Sequence, residues 1–211
     1  MNQLEGVKRF YFIGIGGIGM SALARYFFSK GFAVAGYDKT PSPLTDLLQQ
    51  EGIAIHFDDL GENIPSPYNK VEGTIVVYTP AIPKNFGELV FTQQQHTVYK
   101  RSEVLGLITQ SSKGIGVAGT HGKTTTSTML AHILNQSETK CSAFLGGIAT
   151  NLNSNVLVHP SAEYTIVEAD EFDRSFLRLS PFASIITAMD PDHLDIYGTP
   201  AAFYESFQEY A

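Results

Sequence analysis

The sequence predicts an α/β protein made of two parallel-sheet units in tandem. Three observations predict it. Short apolar runs alternate with helical stretches along the 211 residues. Each half of the chain opens in the same order: apolar strand, glycine loop, helix. A hydrophobic fraction of 43% with 19 glycines supplies a core and the tight strand-to-helix turns.

In the first half, Arg9-Phe10-Tyr11-Phe12-Ile13 reads as a buried strand and Met20–Phe28 as a helix closed near Gly31. Between them lies Gly14-Ile15-Gly16-Gly17-Ile18-Gly19. Phe32–Tyr37 is a second strand, ending at Asp38. This is a βαβ unit, so its strands are parallel and its crossover right-handed. Ser42 suits an N-cap with Pro43 at the first helical position, and Gly52 stops that helix. Ile53–Ile55 and Thr74–Tyr78 are further strands, the second running into the loop Thr79–Pro83. A helix around Ser102–Ile108 precedes the polar stretch Thr109-Gln110-Ser111-Ser112-Lys113. The expected organisation is a Rossmann-like domain over 1–108, a linker over 109–113 and a second α/β domain over 114–211.

The second unit opens with the strand Ile115–Ala118, the loop Gly119-Thr120-His121-Gly122-Lys123-Thr124-Thr125-Thr126 and a helix through Met129–Leu134. Tyr164–Val167 is a strand ending at Glu168-Ala169-Asp170-Glu171. Ala183–Thr187 is another, ending near Asp190–Asp195. The last helix takes Thr199 as its cap and Pro200 as its first residue, with Phe203, Phe207 and Tyr210 on its apolar face.

Bulk properties narrow the function. A net charge of −7 argues against a broad nucleic-acid-binding face. An anionic ligand must then be held locally, by loops, a lysine and metal. Cys141 is the single cysteine, so no intrachain disulfide forms, which fits a reducing compartment. Met1–Gly6 lacks a signal-peptide pattern, and no apolar run approaches the ~20 residues of a membrane span. A cytoplasmic location without membrane insertion is expected.

The loop at Gly119–Thr126 has the layout of a phosphate cradle. Glycines let backbone N–H groups turn toward an anion, and the helix N-terminus adds partial positive charge. Lys123 would reach the outer phosphates of a nucleotide and the Thr124 hydroxyl would hold Mg²⁺. The spacing is shortened: Gly119 lies three residues before Gly122, and position 117 is valine. The first loop fits G-x-G-x-x-G at Gly14, Gly16 and Gly19, with Asp38 ending the next strand, a pattern for a diphosphate. NAD is one candidate ligand, and any nucleoside diphosphate suits the geometry. Asp38 could hydrogen-bond a ribose or base, or cap the following turn. Among the acids, Glu168 should point near Thr124, while Asp170, Glu171 and Asp173 read as a solvated loop. His193, among carboxylates on the same sheet edge, reads as a metal ligand; His56 is a weaker candidate. His121 lies in the phosphate loop, where backbone serves.

Together these residues resemble the Mur ligase family, the ATP-dependent amide-forming enzymes of peptidoglycan synthesis. The resemblance runs from Phe12-Ile13-Gly14-Ile15-Gly16-Gly17-Ile18-Gly19-Met20-Ser21 to Asp192-His193-Leu194-Asp195-Ile196-Tyr197. It is most specific at Gly119–Thr126 and Glu168–Phe176. It implies that the first domain binds the UDP part of UDP-N-acetylmuramate through Gly14, Gly16, Gly17, Ile18, Gly19, Met20, Asp38 and Thr79. It implies that the second binds MgATP through Gly119, Thr120, His121, Gly122, Lys123, Thr124 and Thr125. Thr124, Glu168 and His193 match the family's metal positions, and Lys123, Glu168 and His193 its catalytic ones. The implied reaction forms an acyl phosphate from the sugar's lactyl carboxylate, and the amine of L-alanine then displaces phosphate. A relative that attaches a recycled tripeptide shares much of this pattern, and a non-catalytic nucleotide-binding module would use the same loops. Two departures stand out. Ala188 occupies a position where the family often has Asn. The family's third domain, which helps to bind ATP and the amino acid, is not represented, and no lysine follows Lys140. A fragment, inactive alone, is the expectation.

Overall fold

The computed structural model describes residues 4–172 and 174–211. Asp173, expected in a solvated loop, lies outside them. The chain forms two compact units, the first ending at Val104 and the second beginning at Leu105.

The first unit contains β1 (Arg9–Ile13), α1 (Ile18–Ser29), β2 (Ala33–Tyr37), α2 (Pro43–Gln50), β3 (Ala54–His56), β4 (Thr74–Tyr78), α3 (Gly87–Gln95) and β5 (Thr97–Lys100). The helix α4 (Arg101–Gln110) carries the chain across the boundary. The sheet is parallel throughout, in the order β3-β2-β1-β4-β5. Its inner strands β1 and β4 are almost wholly apolar and buried because both faces are covered, while the edge strands β3 and β5 are partly exposed. Phe10 stacks on Phe27 of α1 with ring centroids 3.7 Å apart. On the opposite face Tyr11 and Ile13 pack with Val76 and Leu89. Ile13 pairs with Tyr37 on one side and Tyr78 on the other, so the loops after β1, β2 and β4 emerge level. Chain order reverses between β1 and β4, where open α/β sheets bind ligands.

The second unit contains β6 (Lys113–Ala118), α5 (Lys123–Gln136), β7 (Cys141–Ala149), β8 (Ser154–Leu157), β9 (Tyr164–Ala169), a 3₁₀ turn (Ser175–Arg178), β10 (Ala183–Ile186), α6 (Leu194–Tyr197) and α7 (Pro200–Tyr210). Its sheet runs β10-β6-β9-β7-β8, parallel except for the antiparallel β7–β8 edge. The register sets Val117 beside Glu168 and Ala118 beside Ala169, so the ends of β6 and β9 lie together. Phe203, Phe207 and Tyr210 of α7 are buried, the last two against the ring of Phe176. No described helix is long and apolar enough to cross a membrane.

Several elements go beyond the sequence expectation. The polar stretch beginning at Thr109 includes the last turn of α4 and the first residue of β6. Thr109 is buried because its hydroxyl donates to the Gly106 carbonyl within its own helix. The strand β7 runs through Gly146-Gly147, a pair that reads locally as a turn, and its register with β8 shifts there.

Candidate functional site

In the first unit, the loop after β1 is tied to its neighbours by backbone. Gly14 and Ile15 donate to the Tyr37 carbonyl at 2.8 and 2.9 Å, and Thr79 donates to the Ile13 carbonyl at 3.4 Å. Gly17 is the N-cap of α1, and Ile18, Gly19 and Met20 form its first turn. The Met20 side chain is buried, so only its backbone belongs to the loop. Asp38 points into the glycine loop and accepts from the Gly16 N–H at 2.6 Å. It also accepts from Thr40 N at 3.4 Å, and so braces its own turn as well. The guanidinium of Arg101 stands against Gly19, with Nη1 2.5 Å from the place of a β-carbon. That cation, beside the N-terminus of α1, is a residue the sequence did not single out. A cavity of ≈ 260 Å³ lies past β4 and β5, lined by apolar Pro80, Ile82 and Leu89 with Lys84 and Lys100.

His56, a weaker ligand candidate from sequence, serves the fold instead. Its Nε2 is 2.6 Å from the Tyr11 hydroxyl, and its Nδ1 is 2.9 Å from the Asp58 carbonyl oxygen. Both ring nitrogens are therefore engaged within the first unit.

In the second unit, Gly122 caps α5 in the left-handed region at φ 79° and provides no side chain to its first turn. The N–H groups of that turn have no intrahelical acceptor. They border a cavity of ≈ 230 Å³ lined by Thr120, Gly122, Lys123, Thr124 and Thr125. Gly119 sits at φ +130°, where a β-carbon would stand 2.8 Å from Ala188 N and 2.9 Å from its carbonyl oxygen. Only glycine permits both the angle and that approach. The segment after β10 braces the loop from the other side. Thr120 N donates to the Ala188 carbonyl at 3.1 Å, and the Thr187 hydroxyl bonds the carbonyls of Ala118 and His121 at 3.0 and 2.5 Å. The Thr120 N–H is thus committed to protein. Ala188, at a position where the resemblance leads one to expect asparagine, contributes through its backbone.

Glu168 lies at the centre of the unit's polar contacts. It accepts from the Thr124 hydroxyl at 3.1 Å, the Ser127 hydroxyl at 3.1 Å and the Gly146 N–H at 2.6 Å. Thr124 and Glu168 offer hard oxygen donors facing one another, a set that suits Mg²⁺ sharing its remaining positions with water and phosphate. His193 stands apart from this pair in its contacts. It caps α6 at φ 54°, lies edge-on to Phe172 with centroids 5.0 Å apart, and has Nε2 3.9 Å from Asp192. Among the described residues no three His, Cys, Asp or Glu side chains gather as a metal cluster.

Glu171 corrects the sequence reading. It is 2% exposed, and its carboxylate is chelated by the Lys123 ammonium at 2.9 and 3.0 Å. Lys123 also donates to the Gly119 carbonyl at 2.6 Å. An acid in a hydrophilic run reads as solvated, but a lysine 48 residues away pairs it in the interior.

Comparison with known proteins agrees with this layout. Residues 9–113 match the family described as Mur ligase family, catalytic domain, and residues 117–209 match the Mur ligase middle domain. A UDP-N-acetylmuramate–L-alanine ligase from Phocaeicola vulgatus is 57% identical over 209 residues, 99% of this chain and 46% of the relative. The solved UDP-N-acetylmuramate–alanine ligase of Thermotoga maritima superposes with a TM-score of 0.83 at 31% identity, covering 96% of this chain and 46% of that one. The UDP-N-acetylmuramate:L-alanyl-gamma-D-glutamyl-meso-diaminopimelate ligase from Neisseria meningitides shares the fold, with a TM-score of 0.83 at 23% identity over 97% of this chain and 67% of its own. The chain thus spans a little under half the length of the alanine-ligase relatives. Both units, each with its glycine loop after the first strand of its sheet, lie within these matches, and the chain belongs to the Mur ligase family.

Proposed function

We propose that the chain is the UDP-sugar-binding part and a portion of the ATP-binding part of a cytoplasmic ligase joining L-alanine to UDP-N-acetylmuramate. Residues 1–108 are assigned to the UDP-sugar, 109–113 to the connection and 114–211 to MgATP. The observation that carries the reading is the contact of Thr124 and Glu168 beside the first turn of α5, next to a lysine, at the end of two adjacent parallel strands. The curated relatives carry the name of the alanine ligase over 97% or more of this chain.

In this reading the first-turn N–H groups of α5 bind phosphate oxygens, and Lys123 takes charge from the outer phosphates. Thr124 and Glu168 would hold Mg²⁺, with His193 as a further candidate ligand. The metal supplies charge neutralisation, which phosphoryl transfer between two anions requires. The lactyl carboxylate oxygen attacks the γ-phosphorus and the bond to the β-phosphate oxygen breaks, leaving acyl phosphate and ADP. The amine of L-alanine then adds to the acyl carbon, loses a proton and expels phosphate. On the first unit, the start of α1 at Ile18–Met20 faces the diphosphate, Gly14, Gly16, Gly17 and Thr79 shape the loop through their own backbone hydrogen bonds, Asp38 holds it, and Arg101 adds a cation.

Titration calorimetry tests the assignment. Saturable binding of UDP-N-acetylmuramate and of MgATP is expected, with little alanine-dependent ADP release from these 211 residues. Tight NADH binding without UDP-sugar binding would overturn the substrate assignment. Robust turnover would overturn the view that further residues are needed.

A further inference from the structure

We propose that Glu171 is a positioning residue for Lys123: its buried carboxylate holds the ammonium folded back on the loop, and nucleotide phosphate competes with it for that charge. The inference rests on the nucleotide reading of the Gly119–Thr126 loop and extends it to a residue outside the loop.

Proton counting leads to it. A lysine ammonium has three protons to donate. Lys123 Nζ has three acceptors: the Gly119 carbonyl at 2.6 Å and the two carboxylate oxygens of Glu171 at 2.9 and 3.0 Å. All three donors are spent within the protein. The pair is secluded, the lysine side chain 19% exposed and the glutamate 2%. A carboxylate that far from water needs its cation, so the contact is strongly held.

The glutamate is also anchored from behind. Its carbonyl accepts from the Tyr197 hydroxyl at 2.5 Å and from Arg174 N at 3.0 Å. Tyr197 is the last residue of α6, the helix that His193 caps, and the Arg174 guanidinium lies 5.1 Å from its ring centroid. The carboxylate is therefore presented from a fixed backbone and cannot follow the lysine outward. A phosphate oxygen that reaches Lys123 must take the ammonium from Glu171. Until it does, lysine and glutamate sum to zero charge. Attraction then falls to the N–H groups of α5.

The direction of the effect follows. Glu171→Gln removes the competing charge and leaves Lys123 without its chelate. Whatever raises the energy of the ligand-free protein more than that of the complex tightens binding. MgATP titrated into E171Q should bind about tenfold tighter than into the parent chain, the factor that ~1.4 kcal/mol supplies. Glu171→Asp keeps the charge but falls one methylene short of the chelate, and should lie between. In a Lys123→Met background the same E171Q change should alter the affinity by less than about twofold, because the competed cation is gone. A purely structural role for Glu171 predicts a lower melting temperature with an unchanged Kd. Equal or weaker MgATP binding by E171Q, with the parent's binding still dependent on Lys123, overturns the inference. Absence of MgATP binding by the parent, or binding indifferent to K123M, overturns the nucleotide reading and the inference with it.

Discussion

Tyr11 joins a histidine and a buried acid in one hydrogen-bonded cluster. Its hydroxyl lies 2.6 Å from His56 Nε2 and 2.7 Å from Glu88 Oε2. The phenol donates its one proton to Glu88, and His56 Nε2 also lies 3.4 Å from Glu88 Oε1. Glu88 is fully buried, and burial pushes its carboxyl above the ordinary range. Burial raises Tyr11 as well, so the phenol stays protonated. The buried carboxyl therefore keeps a proton to higher pH than an exposed one, the Tyr11 hydrogen bond and the nearby His56 opposing that shift only in part. A folded-state pKa raised above the unfolded value means stability is fully present below the unfolded carboxyl's ~4.3 and is lost as pH rises through the folded value. Glu88→Gln imitates the protonated acid: its oxygen accepts from Leu60 N, as Glu88 does at 3.1 Å, and its amide donates to Tyr11. Thermal melts across that window should show the parent losing stability with rising pH relative to E88Q; parallel profiles would refute the raised carboxyl pKa. Glu88→Ala leaves Tyr11 and Leu60 N short of a partner and should cost about 3 kcal/mol in urea unfolding. Sequence could not show this triad, because a strand tyrosine, a histidine and a helical glutamate from three elements converge only on folding. Asp38 shows the opposite case. Its place after the second strand was legible, and its hydrogen bond to Gly16 shows how a residue near a ligand loop also shapes it.

Helix starts separate the candidate sites from the rest of the fold. Ser42 caps α2 in a reciprocal capping box with Thr45, and Thr199 accepts from Ala202 N at the start of α7. Asp59 accepts from the first two N–H groups of α3, Gly87 and Glu88, at 2.8 and 3.1 Å. By contrast α1 and α5 start at Gly17 and Gly122 with no side-chain cap bond and no acid in the first turn. Uncapped N-termini are available to anions, and the two that follow the glycine loops are uncapped. Gly17 has extended backbone at φ −65° and ψ 145°, and the atom nearest to a β-carbon, the Gly14 carbonyl oxygen, would stand in ordinary contact at 3.7 Å, so it admits a side chain. Gly17→Asp should cap α1 and stabilise the fold by about 0.5–1 kcal/mol. It should also weaken UDP-N-acetylmuramate binding about tenfold or more, since its carboxylate occupies the anion's place. A stabilised variant with unchanged affinity for the UDP-sugar would refute the assignment of that helix start. These helices were legible because glycine, serine, threonine and proline punctuate them. The strand β7 and helix α3 were not. A Gly-Gly pair inside β7 reads as a turn, and α3 carries a weak apolar stripe, with Thr92 and Glu88 buried beside Leu89.

At the scale of the whole molecule, the two units differ in what their sheets must do. The first is parallel throughout, with its loops level around the β1–β4 reversal. The second ends in an antiparallel β7–β8 edge, while β6 and β9 at its centre set the lysine loop beside Glu168. The alternation of strand and helix made the α/β class and the two glycine loops legible from sequence. The order of strands was not, because pairing is decided by side-chain burial between distant segments rather than by local pattern. Each unit has its own core and its own candidate site, so a ligand should protect its own unit first. Hydrogen exchange read by mass spectrometry tests this on the intact chain. UDP-N-acetylmuramate should slow exchange at Gly14–Met20 and through β1, leaving Gly119–Thr125 unchanged. MgATP should do the reverse, slowing the first turn of α5 and the segment near Glu168. Lys123→Met should abolish most of the second pattern and none of the first. Protection of the first loop by MgATP, or of the second by the UDP-sugar alone, would contradict the division of ligands between the units. That outcome would require one nucleotide site in place of two. Glu171 should report on the same experiment. If phosphate draws Lys123 away from it, the amides around Arg174 and Tyr197, which anchor the Glu171 backbone, should exchange at altered rates in MgATP but not in the UDP-sugar.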